Sequence, residues 1–349
     1  MTPDPDLPTP LRVGIAGYGL AGAVFHAPLV AAVDGLEVAA VVTGDAERAD
    51  RARAAYPGVH VAAHVDELWE RIDVLVVATP NRHHAELALA AVAHDVPVVI
   101  DKPMASSVEE AERVLAAGGR VTVFQNRRWD GDFLTARRLL AKDALGEVVR
   151  FESRFERYRP QVGEGWRERG GAQEGGGQLF DLGSHLVDQA IVLFGPPLRV
   201  YAEVDHRRPG AEVDDDVFLA LEHAGGVRSH LWMGVLAPLA GPRFRLSGRG
   251  GGFAVDGLDV QEPQLIDGLR PGDAGYGERG PGRIVDAQGE REQPLERGAY
   301  EQFYVGVRDW VRGGADAPPP VDPHDSLTVL RVLEAARRSA EAHEVIALS

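Results

Sequence analysis

Leu11-Arg12-Val13-Gly14-Ile15-Ala16-Gly17-Tyr18-Gly19-Leu20-Ala21-Gly22 is the stretch that decides the fold. Its apolar first half predicts a short strand. Gly17, Gly19 and Gly22 then fall at the G-x-G-x-x-G spacing, and an apolar helix is predicted over Ala23 to Val33. Gly17 permits the tight turn, Gly19 lets the backbone approach a pyrophosphate, and Gly22 packs helix on strand. The helix N-terminus offers unpaired N–H groups to phosphate oxygens. Glycine-rich turns are common, so the strand before and the helix after are what make this a dinucleotide-binding fingerprint. Upstream, Met1 to Pro10 carries four prolines and two aspartates and reads as a disordered leader.

Downstream, Leu36 to Val42 predicts the second strand. NAD enzymes usually place an acid at its end to accept from the ribose hydroxyls, but this chain continues Val42-Thr43-Gly44-Asp45. Glu37 has the nominal spacing from the fingerprint yet lies at the wrong end of the strand. Thr43 and the Gly44 backbone can donate to a 2′-phosphate, with Arg48 nearby to offset its charge. Asp45 would repel that phosphate if it pointed inward. The balance favours NADP(H) over NAD(H).

Val74 to Ala78 is a continuous apolar run suited to a strand buried on both faces. It delivers Thr79-Pro80-Asn81, and a helix from about His83 to His94 follows. Val96 to Ile100 is a similar strand and delivers Asp101-Lys102-Pro103. Open parallel sheets bind ligands beyond the carboxyl ends of their strands. The expected cofactor crevice therefore gathers Gly17, Tyr18, Gly19, Leu20, Ala21, Gly22, Thr43, Thr79, Pro80, Asn81, His84, Asp101 and Lys102. Ser106 or Ser107, with Glu109 or Glu110 following, caps the next helix, and Val121 to Phe124 adds a strand. This alternation predicts a doubly wound parallel sheet, a Rossmann domain over residues 11–124.

The pattern changes after Phe124. Val148 to Tyr158, Leu198 to Val204, Val217 to Glu222, Val227 to Met233 and Phe244 to Ser247 mostly alternate with period two. They predict a large, mainly antiparallel sheet in an α+β domain over residues 125–349. A helix within Gly175 to Phe194 covers one face. The other face calls for a second subunit, in a homodimer or homotetramer formed through this sheet. Arg270 to Gly298 reads as a long loop; Tyr300 to Val311 and Asp325 to Ala342 read as closing helices.

Within the covering helix, Leu179, Leu182, Leu186, Ala190 and Leu193 recur at helical spacing. Asp181, His185 and Asp188 stand at i, i+4 and i+7 and so share a face. Such groups are costly on an apolar helix unless they meet a polar pocket or one another, and together they can tune each other's protonation. A solvated helix face is the plainer alternative. The same donors suit zinc or manganese, but His206, His223 and His230 are too scattered to complete a site, so no metal is expected.

Composition narrows the partners. Asp plus Glu number 53 against 37 Lys plus Arg, a net charge of -16, which repels nucleic-acid phosphates and anionic lipid. No apolar run is long enough to span a bilayer, and no basic-then-apolar leader opens the chain. With no cysteine there is neither disulfide nor thiolate chemistry. The chain reads as cytoplasmic.

Gly17-Tyr-Gly-Leu-Ala-Gly22, Ala78-Thr-Pro-Asn81, Asp101-Lys-Pro103 and Asp181-x-x-x-His185-x-x-Asp188 together resemble the Gfo/Idh/MocA oxidoreductases, from about Leu11 to Ala347. Phe25-His26-Ala27-Pro28 and Asn126-Arg-Arg-Trp-Asp130 look most like the NADP-preferring inositol and sugar dehydrogenases of that family. The resemblance implies an NAD(P)-dependent oxidoreductase acting on a cyclic polyol, sugar or related hydroxy compound, with Lys102, Asp181 and His185 as the catalytic set. Asp101 stands where the family commonly has Glu, a shorter reach. Two other classes share the fold, namely retained-cofactor glycoside hydrolases and non-catalytic dinucleotide sensors.

The residue types fit alcohol oxidation. A histidine, with an ordinary pKa near ~6.5, is a suitable base at neutral pH. Asp181 can orient the His185 imidazole, and Lys102 can stabilise developing alkoxide charge. Asp188 would meet either a substrate hydroxyl or Lys102. Arg157, Tyr158 and Trp166 are candidates for polyol contacts, although ordinary sheet-edge and loop roles suit them equally.

Overall fold

The computed structural model describes residues 9–163 and 176–348; most of the expected leader, together with Trp166, lies outside the described residues. The first sheet contains β1 (Leu11–Ala16), β2 (Leu36–Val42), β3 (His60–Ala62), β4 (Val74–Val77), β5 (Val98–Asp101) and β6 (Val121–Phe124). Their order is β3-β2-β1-β4-β5-β6, and every pairing is parallel. Val74, Leu75, Val76 and Val77 are wholly buried, as a strand covered on both faces requires. The strand order reverses beside β1, so the fingerprint turn opens into the crevice between β1 and β4.

That turn is set by contact distances. Gly17 sits at φ +97°, and a Cβ there would lie 2.5 Å from the Ala78 carbonyl oxygen. A Cβ on Gly22 would come within 2.1 Å of the Gly17 carbonyl oxygen, which explains why only glycine lets helix and strand approach this closely. The chain leaves the turn through a wide π-helical segment, Ala21–His26, before tightening into α1 (Ala27–Ala31). Next come α2 (Ala46–Ala55), α3 (His84–Ala93) and α4 (Val108–Ala116). Ser107 caps α4 by accepting from the Glu110 N–H at 3.2 Å, while the Glu110 carboxylate accepts from the Ser106 N–H at 3.0 Å.

The second sheet follows α5 (Gly131–Ala141). It comprises β7 (Val148–Glu156), β8 (Pro197–Asp205), β9 (Asp216–His223), β10 (Arg228–Gly234), β11 (Phe244–Gly248), β12 (Gly251–Val255), β13 (Gly282–Asp286), β14 (Gly289–Gln293) and β15 (Ile346–Ala347). The order is β14-β13-β12-β11-β7-β10-β9-β8-β15, antiparallel throughout except where β7 pairs with β10. The expectation of one long loop over Arg270 to Gly298 is corrected here, because β13 and β14 form a hairpin that extends the sheet. β14 is an exposed edge strand reading Gly-Glu-Arg-Glu-Gln, so it carries none of the apolar alternation that marks a strand in sequence.

One face of this sheet is covered by α6 (Gln178–Asp181), α7 (Gly183–Phe194) and, after the short α8 (Gln261–Ile266), by α10 (Pro323–Ala342). α9 (Glu301–Arg312) goes the other way. Its Phe303, Tyr304, Val307 and Trp310 enter the core formed by Val13, Ile15, Leu29 and Phe124 of the first sheet and its helices. The chain thus returns to the nucleotide-binding half before finishing on the second sheet, and this tie holds the two halves in register. Among the described residues, no helix is long and apolar enough to cross a membrane.

Candidate active site

Three loops at the carboxyl ends of β1, β4 and β5 bound one cleft, lined by Gly17, Gly19, Leu20, Ala21, Arg48, Thr79, Pro80, Asn81, Asp101 and Lys102. A neighbouring hollow at the end of β2 is lined by Tyr18, Thr43, Gly44, Arg48 and His64. A Cβ on Gly19 would meet nothing nearer than the Arg48 Nη1 atom at 3.9 Å, so this edge of the turn is open as a pyrophosphate cradle needs. Gly22 does not line the cleft but packs beneath it. His84 is corrected from a direct cofactor contact. It is buried behind the cleft, with Nδ1 2.8 Å from the Pro103 carbonyl oxygen and Nε2 2.9 Å from that of Thr79. It braces both cleft loops from below. Burial pushes its pKa down, against the pull of Asp101 and the two carbonyls.

Beyond Lys102 the cleft continues into a cavity of about 180 Å³ whose lining includes Asp101, Lys102, Asn126, Arg127, Arg157, Arg159, Asp181, His185 and Glu262. Lys102 comes from the loop after β5, and His185 from the first turn of α7. The two halves of the chain therefore place them on the same cavity, and Lys102 also lines the dinucleotide cleft.

Lys102 is held across the domain boundary. Its Nζ donates to the Asp181 carboxylate Oδ1 at 2.8 Å and to the Asp181 carbonyl oxygen at 2.7 Å. In an unbroken helix that carbonyl would accept from the His185 N–H; here the His185 N–H bonds to Leu182 O at 3.0 Å, and Ser184 Oγ also donates to the Asp181 carbonyl. The expected single helix is consequently interrupted at Leu182, between α6 and α7. Its start is fixed separately. Asp214 accepts from the Leu179 N–H at 2.7 Å, and Gly177, at φ +93°, leaves room for that carboxylate where a Cβ would lie 2.2 Å from it.

Asp101 accepts from the Lys102 N–H at 2.8 Å and faces the buried His26, whose Nε2 is 3.8 Å away. On its other side His26 Nδ1 is 2.6 Å from the Tyr304 hydroxyl on α9. Burial opposes the charge on Asp101, but His26 and Lys102 outweigh it, and its pKa falls below the ordinary carboxylate value. The shorter side chain is thus anchored from beneath.

Other sequence candidates fall elsewhere. Asp188 does not reach the cavity. It is buried and accepts from Arg128 Nε at 2.9 Å and Nη2 at 2.6 Å, while Arg128 Nη2 also donates to Asp325 at 2.9 Å. Burial raises the Asp188 pKa and Arg128 opposes the rise; the residue is a structural counter-ion, since a buried carboxylate persists only when paired. Tyr158 is 60% exposed, its backbone forms a β-bridge with Leu236, and it does not line the cavity. The cavity-facing neighbours are Arg157 and Arg159, and Arg159 escaped the sequence reading although two-residue alternation from Arg157 points to it. Arg127 and Glu262 were also missed as site residues. They pair at 2.7 Å across 135 positions of sequence, and no local pattern signals that. Among the described residues no cluster of three metal-binding side chains occurs.

Both halves of the chain match known proteins. Residues 11–123 match the oxidoreductase family model described as an NAD-binding Rossmann fold, and residues 133–254 match the GFO/IDH/MocA C-terminal domain. The chain is 34% identical to the scyllo-inositol 2-dehydrogenase (NADP(+)) IolW of Bacillus subtilis, over 97% of this chain and 96% of that one. It is 38% identical to the uncharacterized oxidoreductase YdgJ of Escherichia coli, over 97% and 99%. Among solved structures, yvaA from Bacillus subtilis superposes with a TM-score of 0.91 at 32% identity, covering 98% of this chain and 99% of that one.

The two glycines at opposite edges of the turn make a clean contrast. Gly22→Ala drives a methyl into the Gly17 carbonyl and is expected to cost about 1–3 kcal/mol of stability in a denaturant titration. Gly19→Ala finds open space in the free protein and is expected to leave the denaturation midpoint in place. Its added methyl should instead weaken binding of the reduced nicotinamide dinucleotides, followed by nucleotide fluorescence, by about tenfold. Equal effects of the two substitutions on stability would contradict this division of roles.

Proposed function

The chain belongs to the Gfo/Idh/MocA oxidoreductases, and on that footing we propose that it is an NADP-preferring dehydrogenase or reductase of a cyclic polyol, sugar or related hydroxy compound. When bound, the nicotinamide supplies a hydride acceptor or donor. The observation that carries the reading is the meeting of Lys102 and His185 on one cavity that opens from the dinucleotide cleft. The Lys102 ammonium has three N–H donors. Two go to Asp181, leaving a third for the oxygen of a secondary alcohol or its carbonyl. Asp181 fixes that ammonium. His185 takes the hydroxyl proton in the oxidative direction and returns it in the reductive one. Lys102 stabilises the alkoxide charge in between.

Cofactor preference rests on the hollow at the end of β2. Asp45 is not among its lining residues; its carboxylate caps α2, accepting from the Arg48 N–H at 2.9 Å. Thr43, the Gly44 backbone and Arg48 line the hollow, with Arg48 Nε 3.9 Å from Asp45 Oδ2. The NADP(+) dependence named for the IolW relative points the same way. The uncovered face of the second sheet, where Tyr201, Phe218, His230 and Trp232 are half-exposed, is the surface through which we expect a homodimer or homotetramer to form, and we assign the enzyme to the cytoplasm.

A turnover screen of inositols and aldoses with both nicotinamide cofactors tests the activity. Lys102→Ala and His185→Ala are each expected to lower kcat by about 10²–10⁴-fold with nucleotide binding retained; near-full activity of His185→Ala on the true substrate would remove it as the base. Arg48→Ala is expected to raise KM for NADP by about tenfold or more with little change for NAD, and steady-state kinetics with the two cofactors would show a uniform loss if the arginine were not at the 2′-phosphate. Light scattering on the wild type and on Trp232→Asp reads the assembly. A monomeric wild type would dismiss the sheet-face contact, whereas dissociation of the variant supports it.

A further inference from the structure

The hydrogen bonding of β7 to β10 continues past the end of the strand. Arg157 N–H donates to Gly234 O at 2.9 Å and Arg159 N–H to Val235 O at 2.7 Å. Extended backbone alternates its side chains, so Phe155, Arg157 and Arg159 share one face, and Tyr158 takes the other. Phe155 is buried and carries the Arg157 guanidinium 5.0 Å over its ring; Arg157 and Arg159 then project into the cavity that holds Lys102 and His185. Neither lines the dinucleotide cleft.

These two cations differ from the others in the cavity. Lys102 is committed to Asp181 at 2.8 Å and Arg127 to Glu262 at 2.7 Å. Among the described residues, no carboxylate comes within ion-pair distance of Arg157 or Arg159. Burial lowers the Arg157 pKa, with the like charges of Arg159 and Arg127 adding to the effect against Glu262 and Asp181. Arg157 is half-buried and Arg159 is exposed; a half-buried cation with no counter-ion among the described residues is costly. It is also unexpected from composition, because acids outnumber bases 53 to 37 in this chain. Two guanidinium forks on one wall suit an oxyanion, which they can bind through paired hydrogen bonds.

We propose that the substrate is an anionic polyol, a sugar or cyclitol derivative whose carboxylate or phosphate is held by Arg157 and Arg159 while its secondary alcohol meets Lys102 and His185. This rests on the dehydrogenase reading above and sharpens its substrate class.

Calorimetric titration of the NADP-loaded protein with matched compounds tests it: glucose, glucuronate and glucose 6-phosphate, then myo-inositol and myo-inositol 1-phosphate, with hydride transfer followed in parallel. At least one anionic member is expected to bind about tenfold or more tightly than its neutral counterpart; whether glucuronate or the phosphates win identifies the anion. In an Arg157→Gln/Arg159→Gln double variant that still binds NADP, that preference should be lost. Equal or absent binding of the two classes by the wild type, or a preference that survives in the double variant, overturns the proposal. Turnover of neutral polyols with no anion preference rejects the anion site and keeps the dehydrogenase. Selective anion binding without hydride transfer to or from any compound does the reverse.

Discussion

One ammonium group ties the two halves of this molecule together at the point where chemistry has to happen. Lys102 projects from the carboxyl end of β5 in the nucleotide-binding sheet, and Asp181 lies at the end of α6 against the second sheet. Their contact uses both the carboxylate and the main-chain carbonyl of Asp181. The double grip does more than neutralise charge. The Asp181 carbonyl accepts from Lys102 Nζ and Ser184 Oγ, the His185 N–H turns to Leu182 O, and the helix restarts at Gly183 with His185 in its first turn. Surface ion pairs contribute little to stability, but this one is largely shielded from solvent, and its geometric consequence exceeds its energetic one.

A single cross-boundary pair could not hold two sheets in register alone. α9 supplies the rest by packing its aromatic side chains into the first domain's core. Tyr304 on that helix reaches His26, and His26 faces Asp101, the residue immediately before Lys102. The floor of the site is thus built from β5, from the helix after the glycine turn and from a helix near the chain's end. Asp101 replaces the glutamate common in the family without leaving its carboxylate adrift. The Lys102 N–H holds one oxygen, and the buried imidazole approaches the other.

Much of this was readable from the residues because it depends on local physics. Buried parallel strands announce themselves as runs such as Val74 to Val77, and the glycine turn does so by contacts that no other residue could make. What escaped the reading depends on distant partners or on strands that bury nothing. β14 has no apolar face to betray it. The i, i+4, i+7 rule grouped Asp188 with Asp181 and His185, but it describes an unbroken helix and says nothing of the arginine 60 positions earlier that claims the carboxylate. His84 bears the right residue type one layer too deep. Of Arg157 and Tyr158, Arg157 lines the cavity and Tyr158 does not.

Charged side chains near this site mostly face one another. Asp188 with Arg128, Glu262 with Arg127 and Asp181 with Lys102 are all paired inside the protein. Desolvation makes this pairing the default for a charge in the interior. Proximity to a motif is therefore a poorer guide to ligand contact than what remains once internal partners are subtracted. Among the described residues of this cavity, Arg157 and Arg159 have no carboxylate within ion-pair distance, and Lys102 keeps one donor beyond the two given to Asp181.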